Sequence, residues 1–586
     1  MSDVKRVFNT VKYMTPRQWK YRMYYTIRNK MLKRKLKKRK IEEIRLLSLN
    51  YHNKINDLCD LSVADDILKN IFVTVSQIKL EFPNDIDWDL SDEKYRLVCF
   101  KLNSFRWLLD LSDAYKATGN NLYIKKGFEL IDDWMVKNSN IITGDKWNPY
   151  VIAERISNWI GFCSEYCTIL NLDINTYAGH LYGQAYELMK SFEFQLGANH
   201  LLSEAKALIF AGAFLKDDSM YEFGKKILRE EYNEQFLDDG AHYERSISYH
   251  IESLQQYYES VDVMNSLDDP DVCAFIKMLV KPYVFLNEMI SVKGEIPLFN
   301  DAALDYPFFD ATDFLATSDR LFFSVAPNSR SSVYSKRWNK EPIKKEQIDW
   351  DSKGIFSECG YVHYKFSRND EKYSFYFDGA DCGPDYNLGH AHADAMNILL
   401  SSSKKNILVD TGVYTYKPGA DRNKCRATKA HNTVEIDGLN SAEIWSAFRV
   451  AKRGHSELEV KENDESKLYI IGKHDGYQRC LKNDAMHVRE VIIHDNEISI
   501  SDTITGQHEC VVRFHIGPDC AVDYVNDNCC KIDNNIMIES SLPMHINDWE
   551  ISELFGIKQE IKCIEIPFNT EDFNKVTTKI FIGKRS

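Results

Sequence analysis

Three pieces of sequence, Gly389-His390-Ala391-His392-Ala393-Asp394, Leu408-Val409-Asp410-Thr411-Gly412-Val413-Tyr414 and Lys429-Ala430-His431-Asn432-Thr433-Val434, follow one another closely and carry most of the chemistry-bearing side chains of their region. His390 and His392 are two apart, so an extended strand would send both rings toward one pocket. Asp410 ends the apolar run Asn406-Ile407-Leu408-Val409 and precedes Gly412, which suits a turn that places a site residue. His392, Asp410 and His431 then make a His/carboxylate/His set fit for a divalent cation of the zinc type. His390 is left beside that set for proton or substrate chemistry. A His-x-His pair alone is commonly incidental in a chain with 16 histidines; the three pieces together point to a site.

The run GHAHADAMNILLSSSKKNILVDTGVYTY, with RATKAHNTVEIDG after it, resembles the heparinase II/III family of polysaccharide lyases. The resemblance is specific over these residues and looser from about residue 90 onward. It implies an α+β multidomain chain, an N-terminal incomplete α/α toroid followed by a C-terminal antiparallel β-sandwich, and β-elimination on a uronic-acid-containing polysaccharide.

The residues themselves support the same division. From about 55 to 320 apolar side chains recur at helical spacing, as in Ala205, Leu208, Ile209, Gly212 and Leu215, or Phe128, Leu130, Ile131 and Trp134. Pro327-Asn328-Ser329-Arg330-Ser331-Ser332, with a polar stretch after it, suits a linker. Beyond it strands dominate. Ile498 and Ile500 alternate with serines after the Asp495-Asn496 turn, and Cys510, Val512, Phe514 and Ile516 alternate with more polar neighbours. The expected domains are a basic segment (1–50), a toroid (51–330) and a sandwich (345–586).

Two stretches of the helical half complete the expected site. Gly197-Ala198-Asn199-His200 opens a helix whose first turn could meet an anion; Asp239-Gly240-Ala241-His242-Tyr243-Glu244-Arg245-Ser246-Ile247-Ser248-Tyr249-His250 enters another. Both resemble the family's catalytic helices. The resemblance implies Asn199, His200, Tyr249 and His390 as catalytic residues, and His392, Asp410 and His431 as ligands of a divalent metal, a structural zinc. It also implies Arg155, Trp159 and His250 as substrate contacts. Asn199 would neutralise the uronate carboxylate, because removal of the C5 proton builds a second negative charge beside it. Two other classes fit the same residues: a metal-dependent glycan hydrolase using His392, Asp410 and His431, and a non-catalytic glycan-binding or assembly protein.

The net charge of −13 hides an asymmetry. Residues 1–40 hold 15 Lys or Arg against the single acid Asp3, so the remaining chain carries −27. An acidic body argues against nucleic acid as partner. Thr15 as N-cap with Pro16 after it predicts a helix start, and Trp, Tyr and Met among the cations suit peripheral contact with an anionic membrane. Fourteen scattered cysteines without a Cys-x-x-Cys pair fit a reducing compartment. No apolar run of membrane-spanning length occurs and no signal peptide is recognised, so a cytoplasmic location, at the inner face of the membrane, is expected together with a role in making or trimming a cell-surface polysaccharide.

Overall fold

The computed structural model describes residues 3–31, 34–41, 43–47, 61–74, 78–90, 96–138, 140–305, 353–464, 467–481, 484–494, 496–533 and 535–583. The expected linker at 327–347 lies outside the described residues.

Two helices lead the chain, α1 (Asp3–Val11) and α2 (Pro16–Met31). The start of α2 is the expected one and is closed as a capping box: Gln18 N donates to Thr15 Oγ1 (3.2 Å) and Thr15 N to Gln18 Oε1 (2.9 Å). The toroid follows as α3 (Leu61–Leu68), α4 (Arg96–Asn103), α5 (Leu108–Thr118), α6 (Asn121–Asn138), α7 (Pro149–Tyr166), α8 (Asn175–Met189), α9 (Ala198–Leu215), α10 (Asp218–Gln235), α11 (Ile247–Ser266) and α12 (Val272–Met289). Helix α9 is apolar almost all round and is correspondingly buried, packed by α7, α8, α10 and α11. Gly212 is what lets α10 come close, since a Cβ there would stand 2.4 Å from the Tyr221 backbone nitrogen.

Among the described residues, apart from the small hairpin β1 (Ile71–Val73) and β2 (Lys79–Glu81), the strands belong to the C-terminal half, where every sheet pairing is antiparallel. A five-stranded meander is formed by β3 (Lys353–Phe356), β4 (Tyr361–Arg368), β5 (Glu371–Asp378), β6 (Ile398–Ser402) and β7 (Asn406–Leu408). There follow β8 (Val434–Ile436), the hairpin β9 (Ile444–Trp445) and β10 (Arg449–Val450), then β11 (Ser456–Asp464), β12 (Lys467–His474), β13 (His487–His494), β14 (Glu497–Ile504), β15 (Glu509–His515), β16 (Val522–Asn526), β17 (Cys529–Ile532), β18 (Ile536–Ser540), β19 (His545–Ile551), β20 (Gln559–Asn569) and β21 (Lys575–Ile582). These make an eight-stranded sheet in the order β11-β12-β13-β14-β21-β18-β17-β16 and a four-stranded one in the order β19-β20-β15-β8. The alternation expected at Ile498 and Ile500 is present: every second residue of β14 is buried, and Ile498, Ile500 and Ile504 join a core shared with Phe375, Phe514 and Ile564 of the other sheets. The architecture is an incomplete α/α toroid followed by an antiparallel β-sandwich.

Toroid and sandwich share buried side chains. Tyr361, Tyr376, Tyr416 and Phe555 of the β half belong to the toroid's apolar cluster. Tyr361 Oη donates to the Arg245 carbonyl (2.5 Å), Tyr376 Oη to the Met289 carbonyl (2.9 Å), and Asp301 N to the His390 carbonyl (3.2 Å). The junction between the halves is therefore held by buried contacts from both sides, which positions the site built there.

Candidate active site

The histidine stretch leaves the sheet before it reaches the site. Residues 389–394 are a loop between β5 and β6, not the strand expected from the His-x-His spacing. Both rings nonetheless meet one carboxylate, that of Asp301 on the toroid side: His390 Nδ1 lies 2.9 Å from Oδ2 and His392 Nε2 2.8 Å from Oδ1. Asn300 Oδ1 accepts from His392 N (2.8 Å), and the Arg422 guanidinium of α13 (Ala420–Arg426) reaches both Asp301 oxygens at 2.5 and 2.6 Å. Burial alone would raise the Asp301 pKa, but Arg422 and the two histidines outweigh it and hold the carboxylate well below its ordinary value. An ionised carboxylate only accepts, so the ring nitrogens facing it carry hydrogen. His390 is left with its lone pair on Nε2, and its side chain, 14% exposed, borders the cleft.

Tyr249, two residues past the start of α11, lies on the His390 ring with centroids 3.6 Å apart and 26° between planes. Its hydroxyl is 3.1 Å from that of Tyr416. Across the cleft, Asn199 and His200 stand in the first turn of α9 as expected. Asn199 Nδ2 donates to Glu252 Oε1 (3.0 Å), which also accepts from Tyr150 Oη (3.1 Å); Asn148 caps α7 and so fixes where Tyr150 starts. His200 Nδ1 is 2.6 Å from Glu193 Oε2 and the ring packs on Tyr150. Burial disfavours charge on His200, yet Glu193, with Glu252 and Glu244 beyond, outweighs it and raises the pKa. Glu244 joins the two groups. It is 3% exposed, and its pKa is pushed up to about 7 by burial, with His390, Glu252, His200 and Asp301 all in its field.

Of the expected metal ligands His392, Asp410 and His431, the structure brings His392 and His431 together with Asp394, and places Asp410 against His431. Asp410 Oδ2 instead accepts from His431 Nδ1 (2.8 Å) and Asn397 Nδ2 (2.6 Å), and so orients a ligand from behind. Its turn is the one the sequence suggested: Gly412 N donates to Asp410 Oδ1, Gly412 has φ +64°, and a Cβ there would lie 2.1 Å from the Ser552 carbonyl oxygen. With Asp301 on His392 Nε2 and Asp410 on His431 Nδ1, each ring in its neutral form presents a lone pair on the opposite nitrogen. Those atoms, His392 Nδ1 and His431 Nε2, are buried without a hydrogen-bond partner, as is Asp394 Oδ2. Two imidazole lone pairs and a carboxylate oxygen within 4.8 Å of one another fit a divalent cation.

The three expected substrate contacts are core residues. Arg155 is fully buried, donates to Gln184 Oε1 and to the Asn103 and Lys146 carbonyls, and lies over the Trp134 ring at 4.1 Å. Trp159 is fully buried against Phe105 and Trp134. His250, 1% exposed, faces the Pro282 carbonyl (2.9 Å) rather than the cleft. Sequence reasoning missed Asp301, Tyr416, Arg422, Glu193, Glu244 and Glu252. Glu244 and Tyr416 lie within stretches singled out in the sequence, and Glu252 stands three residues past Tyr249 on the same helix; Asp301, Arg422 and Glu193 had no such local signal.

The family described as Heparinase II/III N-terminus matches residues 1–312, and Heparinase II/III-like, C-terminal, matches residues 353–571. A heparin-sulfate lyase of Bacteroides thetaiotaomicron is 22% identical over 423 residues, covering 67% of this chain and 59% of the relative. One from Bacteroides stercoris is 22% identical over 497 residues, 77% of this chain and 69% of the relative. The chain thus spans about three fifths of the length of the first of these relatives. Among solved structures, heparinase III superposes with a TM-score of 0.75 at 18% identity, covering 99% of this chain and 94% of that one. The chondroitin AC lyase of Streptomyces coelicolor A3 superposes at 0.51 and 10% identity, covering 93% and 81%. With family matches over both the toroid and the sandwich, this chain belongs to the heparinase II/III family.

Proposed function

We propose that the chain is a polysaccharide lyase that cleaves a uronic-acid-containing polysaccharide by β-elimination. The observation that carries this reading is the stack of Tyr249 on His390, two proton carriers in contact, with the Asn199 amide and the His200 imidazole, its pKa raised by Glu193, on the facing helix. Asn199 and His200 neutralise the uronate carboxylate, so that its enolate form can hold the charge left when C5 loses its proton. The C5 proton passes to His390 Nε2, the electron pair forms the C4–C5 double bond, and the bond to O4 breaks. The Tyr249 hydroxyl gives its proton to the departing O4. Glu244, proton-bearing near neutral pH, adds a donor and spares the incoming carboxylate a full opposing charge.

A divalent cation held by His392, Asp394 and His431 would tie the loop to the 3-10 turn before His431 and so fix His390. These ligands are 0%, 4% and 0% exposed, which suits an ion that holds the fold in place. The buried carboxylates of Glu193, Glu244 and Glu252 suit a uronate polymer with few sulfates. Thirteen described cysteines are free thiols, which supports action in a reducing compartment on a cell-surface polysaccharide being made or trimmed. The test is the product: an elimination leaves a 4,5-unsaturated end that absorbs in the ultraviolet and a mass without added water. Hydrated products would replace this reading with hydrolysis.

A further inference from the structure

The N-terminal helices are docked on one side only. On α2 the stripe Gln18, Tyr21, Tyr25 and Arg28 faces the body: Gln18 Nε2 donates to the Tyr386 carbonyl, Tyr21 packs on Phe194 at 4.6 Å, and Arg28 pairs with Glu187 at 2.8 Å. The other side carries Trp19, Met23 and Ile27, four residues apart, at 51%, 68% and 53% exposure, and α1 adds Phe8 at 62%. A large apolar stripe left in water on a docked helix asks for an occupant. Its flanks say which. Lys20 and Arg22 border the stripe, and among the described residues neither forms an ion pair.

We propose that this face of α1 and α2 docks the protein on an anionic lipid surface. Trp, Met, Ile and Phe between cations is the composition of a helix lying in the headgroup region, where rings and aliphatic chains enter the acyl boundary and Lys or Arg meet lipid phosphates. Charge also sets the orientation. The segment of +14 is drawn to the surface, while the body of −27 is repelled from it. The docked face adjoins the cleft through the β9–β10 hairpin. Trp445 Nε1 donates to Thr10 Oγ1 of α1 (3.1 Å), and Phe448 on the same hairpin lies 5.8 Å from the His390 ring. Binding would bring the cleft rim to a polysaccharide held at the membrane.

The experiment is flotation of the full chain with vesicles of phosphatidylcholine containing about one third phosphatidylglycerol, against pure phosphatidylcholine, at low and high salt. Preferential binding to the anionic vesicles is expected, weakened by salt. It should drop at least about tenfold in Lys20→Glu/Arg22→Glu and in Phe8→Asp/Trp19→Asp/Ile27→Asp, each with an unchanged melting temperature. Equal binding to both vesicle types, or wild-type binding by both variants, would overturn the proposal. So would a dimer in light scattering that the same substitutions dissociate, since the face would then belong to a second copy.

Discussion

Tyr249 lies nearly parallel on His390 at 3.6 Å, although one begins a toroid helix and the other belongs to a loop of the sandwich. The contact exists because Asp301 pins His390 from behind while α11 presents Tyr249 from the front. The proposed reaction centre is therefore assembled across the domain junction, with one of its two proton carriers from each half.

Tyr249→Phe keeps the ring and its stack and removes only the hydroxyl. Turnover of a uronate polymer should fall by about 10² or more, with the melting transition shifted little, since a single hydrogen bond contributes about 1 kcal/mol. His390→Ala should lose as much activity. Cys163→Ser, in a buried part of the toroid away from the cleft, should retain turnover. Steady-state rates with a thermal melt check this, and a fully active Tyr249→Phe would require a different acid.

Much of this was legible in the sequence, for reasons that can be named. The capping box at Thr15 and Gln18 and the alternation of β14 are local patterns, and local patterns fold as they read. The His-x-His piece announced its chemistry but not its backbone. The partner that bends it into a loop is the Asn300-Asp301 pair, 91 residues from His392 at Asp301, and nothing near His392 encodes that contact. The same limit applies to Asp410: a carboxylate at a strand end is equally placed to coordinate an ion or to orient the histidine that does. Arg155 and Trp159, which the structure buries, are a different case. Helix α7 is buried nearly all round, so its sequence cannot show which side faces a cleft and which a core.

That correction has its own test. Trp159→Ala should destabilise the toroid by about 3–5 kcal/mol through the cavity left among Phe105, Trp134 and its neighbours. Arg155→Met should also lower stability, because it strands the carbonyls of Asn103 and Lys146. Neither should change KM selectively. Denaturant unfolding beside kinetics at permissive temperature separates the two roles, and a raised KM in a fully stable Trp159→Ala would restore the substrate contact.

For the metal site, Asp394→Ala, His392→Ala and His431→Ala should each remove a ligand and lose bound divalent metal. Asp410→Asn should weaken binding by about 10- to 100-fold through the orientation of His431. Metal content of purified protein, with dissociation constants from competition against a chelator, ranks the four. The melting temperature should track occupancy, because an ion that binds only the folded state stabilises it. An Asp410→Asn protein that binds no metal while Asp394→Ala binds fully would return Asp410 to the first coordination sphere.

Glu244 makes a prediction in pH. Its folded pKa of about 7 lies above the ordinary glutamate value of 4.5, so the native state keeps a proton that the unfolded chain has already lost. The stability due to this group is fully present below about pH 4.5 and is lost as pH rises to about 7. The total change is of order 3 kcal/mol, and the curve is flat beyond. Glu244→Gln holds a neutral side chain at every pH and lacks this decline. Relative to wild type it should gain stability between pH 4.5 and 7, and the two curves should run parallel above that. The same proton is used in the proposed reaction, so kcat/KM of the wild type should fall above about pH 7, with a limb that the Gln variant lacks. Urea unfolding at pH 5, 6, 7 and 8 reads the first effect and initial rates over the same range the second. A stability difference independent of pH would mean that Glu244 is ionised in the native cleft, and the neutral donor would have to be sought elsewhere.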